Sequence, residues 1–272
     1  MQEPEKSKEF KKSEESEVQP PVRKRRQLLI VSGIAIVGLA AWLIGTNYLE
    51  IGYYFKRLPG IRRFFVQSKT RDLAQQYAAA VHERIQPVFK KAGVTYPPQK
   101  IAFVALKKYR KFLVYACGED GNFKYICDYP ILGASGHLGP KLKEGDLQVP
   151  EGIYKLTLEP NTPYHAGLRL NYPNEIDLAR AAADGRANPG SDILVHGTNG
   201  SIGCIAMGDP VSEDLFVLAY DTHDKNLPLI VAPVDLRTEA PPDATADAPK
   251  WLPDLYSEIK TELSKYPPLS PQ

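Results

Sequence analysis

Between residue 100 and about residue 236 the chain is built from short runs of β-branched and aromatic residues, punctuated by Gly, Pro, Asn and Asp. This texture narrows the fold more than any other feature. Strands are expected at 101–106, 111–117, 123–127, 152–158, 165–170, 193–195 and 229–231. Glu119-Asp120-Gly121-Asn122 reads as a hairpin turn. In that pairing Cys117 faces Lys124 and Cys127 lies on the opposite face, which argues against a disulfide between them. A short helix is expected over 212–219. The domain is therefore mainly β, with α+β character.

Helical periodicity appears on either side of this block. Leu73, Tyr77, Val81, Ile85 and Val88 recur at three- and four-residue steps, which predicts a helix over 68–91, a stalk or packing element that Pro87 should end or kink. After a linker over 239–249, Leu252, Leu255, Ile259 and Leu263 form the apolar stripe of an amphipathic helix expected to fold back on the body of the protein. Proline is abundant, 24 of 272 residues or about 9% against a usual ~5%. The excess gathers in the tails and loops.

No charged residue occurs from Gln27 to Leu49, and the core of that run, 28–45, is apolar over 18 residues. At 1.5 Å per residue about 20 residues cross a ~30 Å hydrocarbon layer, so the run just suffices. Arg23, Lys24, Arg25 and Arg26 precede it, and Trp42 and Tyr48 lie near its far end as interfacial anchors. The positive-inside rule then orients a single span with its N-terminus inside. The expected organisation is a disordered cytoplasmic tail (1–26), a transmembrane signal-anchor (27–49), a juxtamembrane and helical stalk (50–99), the strand-rich domain (100–236), and a Pro-rich linker with a C-terminal helix (237–272). Localisation would be the inner (cytoplasmic) membrane, with the domain facing the periplasm or cell wall. A cleaved signal peptide is the alternative, since Gly38-Leu39-Ala40-Ala41 offers small residues to a peptidase.

Charge and cysteine usage exclude other classes. With 34 basic and 32 acidic residues the net charge is +2, which gives no case for nucleic-acid binding. Cys117, Cys127 and Cys204 form neither a disulfide scaffold nor a paired zinc motif.

The chemistry concentrates in 192–209. An apolar strand delivers His196, Gly197 opens a loop, and Cys204 follows Ser201, Ile202 and Gly203. A cysteine nucleophile needs a base or imidazolium to populate its thiolate, and small neighbours so that a carbonyl can reach it. Gly200, Ser201 and Gly203 provide that access, and the backbone amides of Gly203 and Cys204 are candidate oxyanion donors. The competing reading is a buried apolar cysteine beside a surface histidine.

His-Gly followed by Ser-x-Gly-Cys resembles the active-site motif of YkuD-type L,D-transpeptidases, and 143–152 (KEGDLQVPEG) is similar to that family's Gly-Asp-x-x-Thr-Pro-x-Gly loop. The resemblance is nearest to the YafK-like subgroup. Asn161-Thr-Pro-Tyr-His165, 171–177 (NYPNEID), His196-Gly197, 201–207 (SIGCIAM) and Asp209 all fall in order across roughly 100–235. It implies a mixed β-sandwich catalytic domain, peptidoglycan stem peptides as substrate, a wall-linked lipoprotein as a further partner, and no cofactor or metal. Cys204 matches the nucleophile and His196 the catalytic histidine. The implied reaction is attack of Cys204 on the L-centre carbonyl of diaminopimelate, giving a thioester that an amine or water resolves. Gly203, Ser201 and Gly197 would support the oxyanion or the loop. Tyr164, His165 and His137 are candidate substrate contacts.

Two departures bear on specificity. The family's His before the Gly-Cys pair is Ile202 here, and its Arg two residues after the cysteine is Ala206. Alanine cannot grip a carboxylate. The site should then prefer donors already joined through the L-centre to another amine and release them to water, an amidase more than a crosslinking transpeptidase. A wall-binding or interaction module on the same fold is the non-catalytic alternative, and a zinc site from His165, His196 and Cys204 a more remote one.

Overall fold

The computed structural model describes residues 59–269. The chain divides into units 1–62 and 63–272; the sheet, the three later helices and the first helix from Arg63 onward belong to the second. The strands are β1 (Lys100–Leu106), β2 (Lys111–Cys117), β3 (Lys124–Pro130), β4 (Gly133–Ala134), β5 (Gly152–Glu159), β6 (Gly167–Leu170), β7 (Leu194–His196), β8 (Ile205–Ala206) and β9 (Leu227–Ala232). The helices are α1 (Pro59–Ala92), α2 (Glu175–Ala183), α3 (Asp209–Asp221) and α4 (Leu252–Leu263). The fold is a mixed, sheet-rich α+β arrangement. Where a sandwich was expected, hydrogen bonding runs through one sheet in the order β3-β2-β1-β9-β5-β6-β7-β8-β4, with helices on both faces.

The unbroken apolar runs of β1 and β2 follow from that covering. Ile101, Phe103 and Ala105 face a core shared with α1 and α3, while Ala102, Val104 and Leu106 face a second core closed by α4. A strand covered on both faces has no polar side to alternate with. Of the stripe predicted for α1, Val81 and Ile85 bury in the first core and Leu73, Tyr77 and Val88 are partly buried against it, while Phe89, outside that stripe, is buried fully. Leu252, Leu255, Ile259 and Leu263 bury in the second core as expected.

Several expectations change. Pro87 does not end α1, which runs on to Ala92; it sits on the exposed side of the helix while Ile85 and Phe89 are held in the core. The strand expected from 165 begins at Gly167, since His165 adopts a left-handed backbone (φ +69°). An irregularity between Val114 and Tyr115 shifts the hairpin, so Ala116, not Cys117, faces Lys124; Cys117 and Cys127 are free thiols. Helix α2 was not anticipated, although its signal is in the sequence: Asn174 caps the amides of Ile176 and Asp177, and Asp177 accepts the Asn174 amide in return.

The single-pass membrane localisation is not upheld. Among the described residues no helix is long and apolar enough to cross a membrane. The longest, α1, spans 34 residues but carries charges along its length, including Lys69, Arg71, Asp72, Glu83, Arg84, Lys90 and Lys91. The apolar run over 27–49 and the tail before it lie outside the described residues.

Candidate active site

Three short strands build the site. β6 pairs antiparallel with β7, and β7 pairs in parallel with β8. Side chains alternate across the sheet, so Leu168, Val195 and Ile205 enter the first core. The opposite face carries two rows. One holds Gly167, His196 and Ala206, from the registers Gly167↔His196↔Ala206. The other holds Arg169 and Leu194, and the β7–β8 register carried back one residue sets Cys204 beside Leu194. Cys204, which immediately precedes β8, thus falls on the face that carries His196, one row away and next to Leu194. Gly167 and Ala206 flank His196 in this row, and the Thr162 side chain packs against Gly167, where a Cβ would fall 2.8 Å from its methyl.

His196 is buried at 2% exposure. Its Nδ1 lies 2.5 Å from the carbonyl oxygen of Gly197. A carbonyl only accepts, so Nδ1 carries the proton and Nε2 is the free base. The Tyr164 ring lies 4.9 Å from the His196 ring, which brings this expected contact into the site. Gly197 is pressed against its surroundings: a Cβ there would fall 2.5 Å from Asp209 Oδ1, 2.7 Å from His165 Cβ and 3.0 Å from Ser212 Oγ. Asp209 Oδ1 accepts the Thr198 amide at 2.7 Å, tying the loop to the start of α3.

Cys204 is half-buried, with Sγ 3.9 Å from the carbonyl oxygen of Asp192. No hydrogen bond joins Sγ to the His196 ring among the described residues. Burial pushes the thiol above its ordinary pKa, against the pull of the Leu194 amide and the Arg169 and Lys141 cations. Burial also pushes His196 below its ordinary value, partly offset by the bond to Gly197. Both shifts favour the neutral forms of the pair.

The loop before Cys204 is braced by a serine pair. Ser201 Oγ donates to the Cys204 carbonyl at 2.6 Å and accepts the Ser135 amide at 3.3 Å. Gly203, at φ +117°, holds a conformation that favours glycine, and its amide donates to Ser135 Oγ at 2.7 Å. The amide expected to face an oxyanion is thus engaged in the resting structure. Ser135 was not anticipated, because it lies 68 residues upstream with no local signal. Nor was Gln148, whose side-chain amide clamps His137 N and the carbonyls of His137 and Gly139.

The remaining candidates separate. His165 Nε2 lies 2.9 Å from Glu213 Oε1 and its ring 5.3 Å from Tyr77, so it joins α1 and α3 beside Gly197. His137 lines a cleft of about 160 Å³ with Asp243, Asp247 and Tyr256. Among the described residues no group of three or more His, Cys, Asp or Glu side chains is gathered for a metal ion, so the zinc arrangement is not formed.

No family model matches the chain. A segment of 98 residues is 32% identical to the protein named "Putative L,D-transpeptidase YafK" of Escherichia coli (strain K12), and equally to its counterpart in Escherichia coli O157:H7. The match takes in 35% of this chain and 37% of the relative, so the chain spans little more than a third of that relative's length. Among solved structures, the helical cell shape determining protein Pgp2 of Campylobacter jejuni is 19% identical over 68% of this chain and 78% of its own, with a TM-score of 0.40. Its K307A variant is 23% identical over 57% and 56% at 0.39, and Bd1075 of Bdellovibrio bacteriovorus 20% over 63% and 56% at 0.34. Scores this low do not establish a common fold. Over about a third of its length, the chain is a homologue of the YafK-like L,D-transpeptidases.

Proposed function

We propose that the chain is a peptidoglycan-modifying cysteine enzyme with a YkuD-like catalytic domain, its body being 100–236. It takes the acyl group of the diaminopimelate L-centre in a stem peptide onto Cys204 and passes it to water. The observation that carries this reading is the shared face of His196, on β7, and Cys204, directly before the parallel strand β8, with Gly167 and Ala206 flanking His196. The homology to YafK supports the substrate class.

The steps follow from the groups present. His196 Nε2 takes the Cys204 proton as Sγ bonds to the carbonyl carbon, and the carbonyl electrons move to oxygen. Collapse of the adduct breaks the C–N bond, and the imidazolium returns its proton to the leaving amine. Water then loses a proton to Nε2 and attacks the thioester. The C–S bond breaks and the sulfur recovers that proton. Tyr164, exposed over the imidazole, guides the peptide. Ser201 and Gly197 hold the loop, while Gly203 joins the Cys204 amide as oxyanion donor once its bond to Ser135 is exchanged.

Incubating the purified chain with wall material and resolving the muropeptides tests this. Loss of peptide or protein adducts to give free tripeptide ends, abolished in Cys204→Ala and His196→Ala, is the expected result. New 3–3 crosslinks, or exchange of a terminal D-residue, would assign an amine as acceptor in place of water. No change in wall material by the unaltered chain would leave a wall-binding module as the better reading.

A further inference from the structure

Arg169 stands in the same row as Cys204, separated from it only by Leu194. One edge of its guanidinium is fixed: Nε donates to Glu159 Oε2 at 3.1 Å. Its Nη1 pairs with Asp192 Oδ1. Asp192 differs from Glu159 in being an exposed partner, its side chain 71% accessible against 22%. It also sits at φ +64°, and its own carbonyl lies against Cys204 Sγ. An exposed ion pair of this kind is weak and exchangeable. The other cation near the thiol, Lys141, is already committed, with Nζ 2.5 Å from Asp146 Oδ1 and 2.9 Å from the Lys143 carbonyl.

A carboxylate thus already occupies the free edge of a planar, two-pronged cation beside the nucleophile, on a side chain that solvent can readily take up. Guanidinium matches carboxylate geometry with two parallel N–H donors. We propose that Arg169 is the residue by which this site recognises a free carboxylate on the acyl donor, and that Asp192 holds its place until the donor displaces it. This rests on the reading of Cys204 as an acyl-accepting nucleophile. It restores from β6 the carboxylate grip that Ala206, in the other row, does not supply.

Alkylation of Cys204, followed residue by residue with iodoacetate and iodoacetamide, tests the inference without any turnover. The two reagents share the thiol's ionisation, so their rate ratio isolates attraction of the reagent's carboxylate. Arg169→Gln should lower the iodoacetate-to-iodoacetamide ratio roughly five- to tenfold, Arg169→Lys by less, and Asp192→Asn should raise it severalfold. A ratio unmoved by both Arg169→Gln and Asp192→Asn overturns the proposal. If the Arg169 variants do not fold, an unmoved ratio in Asp192→Asn does so alone. With wild-type protein, kcat/KM should favour a stem-peptide donor whose terminal carboxylate is free over its carboxamide twin, a preference that Arg169→Gln abolishes. Failure of the wild-type protein to turn over either donor would defeat the enzymatic reading, while the alkylation ratio would still decide the role of Arg169.

Discussion

Replacing Lys107 by Met should be among the most damaging single changes in the molecule, and the structure says why. Lys107 Nζ donates to Gly139 O at 2.8 Å, to Val149 O at 2.9 Å, and lies 3.0 Å from Glu151 Oε1. Glu151 in turn accepts the Gly139 amide at 2.7 Å and the Tyr256 hydroxyl at 3.0 Å. The Lys107 and Glu151 side chains are 6% and 0% exposed. This knot ties the 139–151 loop, which runs past Gly203, to the sheet and to α4. Removing the ammonium leaves a fully buried carboxylate without its counter-ion, a change worth about 3–5 kcal/mol. Tyr256→Phe removes one donor to that charge and should cost about 1.5–3 kcal/mol. The informative variant is the double, Lys107→Met with Glu151→Gln, because the amide oxygen still accepts from Gly139 while the unpaired charge is gone. It should be more stable than Lys107→Met alone by roughly 1–2 kcal/mol. Urea unfolding at constant m-value measures all three. A Lys107→Met loss below about 1 kcal/mol, or a double variant weaker than the single, would refute the claim that charge burial dominates here.

Gly197→Ala should lower stability by about 1–3 kcal/mol and misplace the imidazole, since the new methyl has no room beside Asp209 and His165; thermal unfolding and turnover read the two effects. Because burial holds His196 below its ordinary pKa, the unfolded chain binds more protons just below pH 6.5, and His196's share of stability should fall as pH drops through that window, a slope His196→Gln removes. Burial raises Cys204, so iodoacetamide should modify it slowly at pH 7, with a rate still climbing above pH 9; a plateau below pH 7 would mean a preformed thiolate. Tyr164→Ala should raise KM several-fold more than it lowers kcat, if the ring guides substrate over His196.

What the sequence made legible was whatever local periodicity encodes. The stripes of α1 and α4 and the runs of β1, β2, β5 and β9 repeat a hydrophobic pattern that burial then uses. His196 and Cys204 were legible because strand, glycine loop and cysteine lie within nine residues of one another. The supporting groups were not. Ser135, Gln148, Arg169 and Asp192 come from four separate stretches, and only the order of β6, β7, β8 and β4 along the sheet brings them to one place. Strands of two or three residues such as β4, β7 and β8 are too short to show a period. Helix α2 was missed for a different reason: its capping box was visible, but the tail of the helix, Ala181-Ala182-Ala183, has no stripe to count.

The neutrality of the resting pair has a consequence for how substrate must act. A thiolate next to an imidazolium would be costly here, since burial disfavours each charge and no hydrogen bond yet joins the two groups. The Nδ1–H bond to Gly197 nevertheless fixes Nε2 as the base, so the tautomer is prepared although the charge is not. In the proposed reaction, proton transfer becomes favourable only when a carbonyl is in place to take the electron pair of sulfur, and when the amide of Gly203 leaves Ser135 for the developing oxyanion. Ser135 Oγ lies 3.3 Å from Ser201 Oγ, whose own proton goes to the Cys204 carbonyl. Ser135 can therefore donate to Ser201 but gains no donor in place of the Gly203 amide, and the exchange gives up one hydrogen bond worth about 1 kcal/mol. On the proposed mechanism, two neutral groups on one face, a set tautomer and an amide held in reserve would make the site quiet toward small electrophiles and reactive once a peptide occupies it.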